Sequence, residues 1–277
     1  MNLRQFDNEF QQAVEKIRDA EALLICTGAG MGVDSGLPDF RGNEGFWKSY
    51  PAFRKQNLSF VDMANPRWFE DAPQRAWAFY GHRLNLYRHT RPHPGFLILK
   101  NWAEKMQSSY FVFTSNVDGQ FQKAGYPEEK ILECHGSIHH LQCRSWNCNR
   151  KIWPAQMDDI DIDEEEFYAR PPLPECPECG GVARPNILMF GDFGWLATRT
   201  EEQHYRYESW LKKINREKLV VVECGAGTAV PTVRYQSQRF SNLVRINPRE
   251  PSVPQGQVSL PLGALESLKE IDELLQK

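Results

Sequence analysis

Four cysteines stand in two close pairs: Cys143 and Cys148 in a C-x4-C spacing, and Cys176 and Cys179 in the C-x2-C of "CPECGG". Four thiolates so spaced can surround a zinc ion tetrahedrally at about 2.3 Å. With four protein sulfurs no position stays open for a substrate, so such a site is structural. Gly180 and Gly181 permit the tight knuckle after the second pair. The other three cysteines, Cys26, Cys134 and Cys224, lie in or beside apolar runs. The competing reading is four reduced, metal-free thiols. Paired cysteines in a cytosolic chain hold zinc more often than they form disulfides.

A second group of residues suits nucleotide chemistry. "CTGAGMGVDSGLPDFRG", Cys26 to Gly42, follows the short apolar run Ala22 to Ile25. Glycines crowded at a strand end bring the backbone close to phosphates. The dinucleotide fingerprint G-x-G-x-x-G fails, however: Gly28 and Gly30 fit, but the third glycine position holds Val33. The stretch also runs on into Pro-Asp-Phe-Arg, which hydride transfer does not require. "TSNVDG" puts Asn116 and Asp118 at the end of another apolar run, and "ILECHGSIHHLQC" puts His135 beside Gly136. Asn116 can fix an amide and Asp118 a ribose hydroxyl, although the same residues also make ordinary turns. His135, by default, is a satisfied structural histidine. His139 and His140 read as packing or capping residues, since four cysteines already suffice for the metal.

These groups need elements to position them. "FDNEFQQAVEKIRDAEALLICTGAG" reads as an amphipathic helix, a short buried strand and a glycine turn. Tyr110 to Asn116, Leu219 to Gly227 and Leu243 to Asn247 are short apolar runs without alternation, as in a parallel sheet covered on both faces. In an open α/β sheet, ligands bind at the carboxyl ends of the strands. Here three strand ends, at Thr27-Gly28, Thr114-Ser115-Asn116 and Gly225-Ala226-Gly227, are polar or glycine-rich. The tail "GALESLKEIDELLQK" reads as a closing helix.

Two segments interrupt the pattern. Residues 43–89 are rich in aromatics and helical in character. Residues 141–184 carry the four paired cysteines, the acidic run "DDIDIDEEEF", expected to be a solvated excursion, and a proline cluster. The expected architecture is α/β: a Rossmann-like parallel-sheet domain (1–42, 90–140 and 185–277) and a smaller inserted domain. The helical part of that small domain is 43–89 and its zinc-binding part 141–184.

Composition fits this class. The chain has 277 residues, 41% hydrophobic and 25% charged, long enough for a large core. A net charge of −3 with no run of basic residues gives no reason to expect nucleic-acid binding. No apolar stretch approaches the roughly 20 residues needed to span a bilayer. The first residues are too polar for a secretory signal, so a cytosolic location is expected.

In chain order these motifs resemble the sirtuins, NAD-dependent protein deacylases, over nearly the whole length. "GAGMGVDSGLPDFRG" resembles the family's first NAD-binding loop, "TSNVDG" its T-Q-N-[IV]-D motif and His135-Gly136 its catalytic His-Gly. The cysteine quartet resembles its zinc module. "RPNILMFGD" stands for R-P-x-[IV]-V-F-F-G-E, "GAGTAVPT" for G-T-S-x-x-V-x-P, and "RIN" for the late strand ending in Asn. The resemblance implies that NAD is consumed: the acyl-lysine carbonyl oxygen attacks the ribose carbon bearing nicotinamide, and the acyl group ends on ADP-ribose. It implies His135 as base, with Asn116 and Asp118 holding the ribose and the nicotinamide amide and Ser115 beside them. Gly28, Ala29 and Gly30 would admit the diphosphate. Asp39, Phe40 and Arg41 would close over ribose and diphosphate, and Gly225, Ala226, Gly227 and Asn247 would line the adenosine side. An acyl-lysine peptide would lie between Gly191-Asp192 and residues 227–232.

The chain departs from the family at Gly32 and at Ala226 and Gly227, each lacking a hydroxyl, at Ser115 in place of glutamine, and at Asp192 in place of glutamate. Tyr80 and Arg83, three apart on one helical face, resemble the pair with which some sirtuins hold the carboxylate of succinyl- or malonyl-lysine. The alternative for these two is an aromatic core position beside a solvated arginine. Other readings of the whole are an ADP-ribosyltransferase or NAD hydrolase on the same scaffold, and a non-catalytic NAD or ADP-ribose sensor, which would have no need of a base.

Overall fold

Phe10, Ala13, Val14 and Ile17 recur at three- and four-residue spacing and are all buried, so Asp7–Arg18 packs as an amphipathic helix, α1. The computed structural model describes residues 3–39, 42–55, 57–145, 147–148, 151–163 and 165–277. The strands, in chain order, are β1 (Ala22–Thr27), β2 (Tyr110–Thr114), β3 (Ile131–Glu133), β4 (Gly136–Cys143), β5 (Ile152–Pro154), β6 (Ile162–Asp163), β7 (Tyr168–Ala169), β8 (Ala183–Ile187), β9 (Leu219–Cys224), β10 (Leu243–Ile246) and β11 (Val258–Leu260). The helices after α1 are α2 (Gly42–Ser49), α3 (Pro51–Lys55), α4 (Phe60–Met63), α5 (Trp68–Asp71), α6 (Pro73–His89), α7 (Pro94–Lys105), α8 (Gln120–Lys123), α9 (Thr198–Leu211), α10 (Thr232–Ser237) and α11 (Ala264–Leu275).

Six strands form one parallel sheet in the order β11-β10-β9-β1-β2-β3. Both faces are covered. Leu23 and Ile25 of β1 join a core with α1, α7 and α11, while Ala22, Leu24 and Cys26 join another with α9 and α10. This two-sided burial is why the strand sequences do not alternate. The order reverses between β1 and β9, so the carboxyl ends of these two strands form the switch point at which such sheets open a crevice.

The aromatic segment and the cysteine segment share a third core, in which Phe46, Tyr50, Phe53 and Phe79 pack with Leu141, Phe167 and Ala183. The divisions expected at 140/141 and 184/185 fall inside β4 and β8, which pair with each other. The acidic run is not a solvated excursion. Its alternate residues turn inward: Ile160 is 8% exposed, and the Asn85 side chain bonds both its N–H and its carbonyl. A period of two, Asp-Ile-Asp-Ile-Asp, puts acid on one side and apolar surface on the other. Among the described residues no helix is long and apolar enough to cross a membrane.

Candidate functional site

The glycine loop is built on the switch point. Gly28 donates to the Cys224 carbonyl (3.1 Å) and Gly30 to the Gly225 carbonyl (3.0 Å). A Cβ on Gly28 would stand 2.8 Å from Ala226 Cα, and one on Gly30 2.7 Å from Gly225 Cα. Gly225 itself has φ +65°, which favours glycine. These three glycines therefore let two loops close on each other. The Gly28 and Gly30 amides are thereby both engaged within the fold, in a loop expected to admit the diphosphate at Gly28, Ala29 and Gly30. Ala29 between them is exposed. Gly32 packs on Leu37, whose side chain would lie 3.2 Å from an added Cβ, so the chain's glycine there has a packing reason.

β2 delivers the next residues. The Thr27 hydroxyl donates to the Thr114 hydroxyl (2.8 Å), and the Ser115 N–H to the Thr27 carbonyl (3.1 Å). Asn116 donates its side-chain N–H to the Gly28 carbonyl (3.0 Å), joining the β2 end to the glycine loop. On the far side Asn247, fully buried, donates to the Ala226 carbonyl (2.8 Å) and accepts from the Arg249 and Glu250 amides. Asn247 is thus a bracket for Ala226 and Gly227. Asp39 pairs with Arg249 at 3.0 Å, tying the first loop to the segment after β10. Phe40 and Arg41 lie outside the described residues.

His135 leaves β3 and enters β4. Its backbone carbonyl accepts from the Leu188 amide (3.0 Å), and its Nε2 lies 3.4 Å from the Thr232 hydroxyl. His135 is thus tied to the 188–192 segment by its backbone and approaches the 227–232 segment with its ring. Burial lowers its pKa, opposed by a hydrogen bond to the Ser115 backbone, so the ring is neutral and able to accept a proton at pH 7. Asp118 is 8% exposed and accepts from the Gln120 amide (2.9 Å). Burial pushes its carboxyl up to about 6; the Gln120 amide and Arg83 oppose this and Glu133 adds to it. His139 contacts the Asp118 carbonyl through Nε2 (2.9 Å), a packing role as expected.

The Asp118 shift has a stability sign. A folded-state pKa above the unfolded value of 3.8 means that stability from this group is complete below pH ~4 and lost as the pH rises through ~6. The cost at pH 7 is roughly 3 kcal/mol. Asp118→Asn keeps the acceptor for Gln120 and removes the charge. It is expected to raise Tm by several degrees at pH 7.5, to lose that advantage near pH 4, and to lower kcat/KM. Thermal scans at the two pH values check this; an unchanged or lower Tm at pH 7.5 would contradict it.

Tyr80 and Arg83 both turn inward from α6, 1% and 6% exposed. The arginine is not solvated. Its guanidinium lies 5.3 to 5.9 Å from the ring centroids of Phe60, Phe79, Tyr80 and Tyr87, and its Nε donates to the Tyr87 hydroxyl (3.1 Å). The Tyr80 hydroxyl is buried without a hydrogen-bond partner. Burial pushes it up to about 12, against Arg83 and Arg184, so it stays protonated and can donate. Asp192 is held inside by Arg184, with one contact at 2.9 Å, and accepts from the Met189 and Gly194 amides.

The four cysteines converge: Cys143 Sγ lies 3.7 Å from Cys179 Sγ, Cys148 Sγ lies 3.6 Å from Cys176 Sγ, and all four sulfurs fall within 4.8 Å of one another. Sulfurs tetrahedral about zinc at 2.3 Å would be about 3.8 Å apart, so the cluster fits a structural zinc. No cysteine among the described residues is in a disulfide.

Sequence reasoning missed Arg249 and His93, and placed Thr232 only at the edge of the peptide segment and not against His135. His93 caps α7 by accepting from the Gly95 amide, and its Nε2 reaches the Met31 carbonyl (2.9 Å) in the glycine loop. The Pro after it was a readable helix-start signal. Thr232 and Arg249 meet their partners only through tertiary structure.

A sequence profile described as the Sir2 family matches residues 28–222, well over half of the chain. An NAD-dependent protein deacylase of Thermus thermophilus is 28% identical over 262 residues, covering 93% of this chain and 92% of that one. NAD-dependent protein deacylase 1 of Archaeoglobus fulgidus is 27% identical over 274 residues, with 96% and 98% covered. The crystal structure of a Sir2 homolog–NAD complex superposes with a TM-score of 0.67 at 24% identity, covering 96% of this chain and 93% of that one.

Proposed function

The chain belongs to the Sir2 family, and from that premise we propose that it is an NAD-dependent protein lysine deacylase in which His135 is the base. One observation carries the residue assignment. A half-buried imidazole, its charged form disfavoured by burial, bonds the Ser115 backbone just past the end of β2, and the next residue, Asn116, bonds the Gly28 carbonyl of the glycine loop. NAD supplies an electrophilic ribose carbon, which the acyl-lysine carbonyl oxygen attacks as nicotinamide leaves; a ribose hydroxyl then adds to the acyl carbon, the lysine amine leaves as the C–N bond breaks, and one water completes the O-acyl-ADP-ribose.

The residues would act as follows. Asn116 and Asp118 hold the ribose and the nicotinamide amide, with Ser115 beside them. His135 takes the proton of a ribose hydroxyl, which a buried imidazole does well near neutral pH. Asp39, Phe40 and Arg41 close over ribose and diphosphate and exclude water that would compete as nucleophile. The second loop, Gly225, Ala226 and Gly227 braced by Asn247, bounds the adenosine side. The peptide enters between Gly191-Asp192 and residues 227–232, flanked by the exposed apolar side chains of Leu188, Phe190, Phe193 and Val230. Cys143, Cys148, Cys176 and Cys179 hold zinc away from this chemistry.

The acyl group favoured is an acidic one, such as succinyl or malonyl. A buried guanidinium beside a buried, unsatisfied hydroxyl is suited to a carboxylate. Arg83→Met is expected to lower kcat/KM on succinyl-lysine peptide at least 100-fold, about 3 kcal/mol, and on acetyl-lysine peptide by less than about fivefold. Equal losses on both peptides would remove this assignment. The reading as a whole is tested by nicotinamide release, which should require acyl-lysine peptide; release at the same rate without peptide would favour NAD hydrolysis.

A further inference from the structure

Helix α9 contributes no residue to the assignments above, yet it grips the strand that delivers His135. β3 is the last strand of the sheet and pairs with β2 through only three residues. Edge strands with so few partners fray unless something covers them. Here the cover reaches the N–H, the carbonyl and one carboxylate oxygen of a single residue, Glu133. Gln203 accepts from the Glu133 N–H (3.0 Å), and the Thr200 hydroxyl donates to the Glu133 carbonyl (3.3 Å). Arg199 pairs with the Glu133 carboxylate at 2.6 Å, and the Gln203 side-chain N–H lies 3.5 Å from the same oxygen. Glu133 and Gln203 are each 1% exposed. Gln203 stands four residues after Arg199 and three after Thr200, so each is its neighbour on the surface of α9.

We propose that Arg199 and Gln203 are positioning residues for the deacylation step: they lock Glu133 so that His135, two residues on, presents its imidazole to the ribose hydroxyl in one orientation. The inference rests on the reading of His135 as the base. Past Glu133 the Cys134 amide continues to the Thr114 carbonyl (2.9 Å), and the His135 carbonyl accepts from Leu188. The chain on either side of the ring is thereby held, and the hold begins at the α9 clamp. Arg199 has a second effect. Without it the buried Glu133 carboxylate would be uncompensated, close enough to Asp118 to disfavour that residue's ionised form. Among the described residues the other titratable groups that interact with Asp118 are Arg83, Tyr87 and Lys123, and the His139 ring contacts its carbonyl.

The test is steady-state kinetics on folded enzyme, with folding checked by circular dichroism at the assay temperature. Arg199→Met and Gln203→Ala are each expected to lower kcat roughly 10- to 100-fold, the scale on which a small misplacement of a catalytic group acts. KM for NAD and for peptide should stay within about twofold. Adding Glu133→Gln to Arg199→Met, which removes the stranded charge and keeps the bonds to Gln203, should recover much of kcat. Should Arg199→Met fail to fold, Gln203→Ala alone decides. A kcat within twofold of the parent in the folded variants would overturn the proposal. If His135→Ala also keeps kcat, it is the base assignment that has failed; if His135→Ala abolishes turnover while the α9 variants do not, only the positioning role has.

Discussion

His135→Ala is expected to lower kcat about 10²- to 10⁴-fold, which is about 3 to 5 kcal/mol of transition-state stabilisation, with KM for NAD little changed. The expectation follows from where the ring sits. The ring is oriented by a hydrogen bond to the Ser115 backbone, and its Nε2 has only a weak side-chain contact, 3.4 Å from the Thr232 hydroxyl. Burial disfavours its charged form. The acid limb of kcat/KM should therefore fall below pH 6.5, the ordinary histidine value. As the pH drops through that limb, protonation removes the base and turnover is lost. In His135→Ala the histidine component of the limb should vanish along with most of the rate. A variant that kept the parental rate and limb would take His135 out of the mechanism.

The second large effect belongs to the zinc cluster. Removing the metal with a strong chelator, or replacing Cys176 by Ser, is expected to lower Tm by roughly 10 °C or more and to abolish turnover. Structural zinc contributes folding free energy directly, because its ligand set exists only in the folded chain. A loss of several kcal/mol moves Tm by about 2 to 4 °C per kcal/mol at this size. The loss of activity has a topological reason. Cys143 ends β4, and β4 begins at Gly136, the residue after His135. The same strand pairs with β8, whose continuation carries Leu188, the donor to the His135 carbonyl. Loosening the cysteine end of β4 frees the histidine end. Metal analysis of the purified protein should give one zinc per chain; a metal-free protein whose Tm ignores both chelator and Cys176→Ser would contradict the account.

Much of this was legible in the sequence. Four of the six strands of the parallel sheet, β1, β2, β9 and β10, are runs of buried residues that announce themselves, and the cysteine spacing identifies its chemistry without any fold. What was not legible depends on contacts distant in sequence. β3 and β11 are three residues each, too short for any pattern. The glycines of "GAGMG" pointed to phosphates, while the structure gives Gly28 and Gly30 a nearer partner in the 225–226 loop, some two hundred residues away. The acidic run looked solvated because its charges dominate the composition, yet Ile160 and Phe167 anchor it. Arg83 shows the converse: spacing identified the pair with Tyr80, and only packing could show that both face inward.

The central claim is that the acyl group leaves lysine for ADP-ribose. Mass spectrometry of a reaction containing NAD and an acyl-lysine peptide tests it most directly. The account predicts nicotinamide, deacylated peptide and O-acyl-ADP-ribose in equal amounts, all three reduced together in His135→Ala. Nicotinamide and plain ADP-ribose beside a peptide that is still acylated, or a peptide heavier by one ADP-ribosyl group, would contradict it.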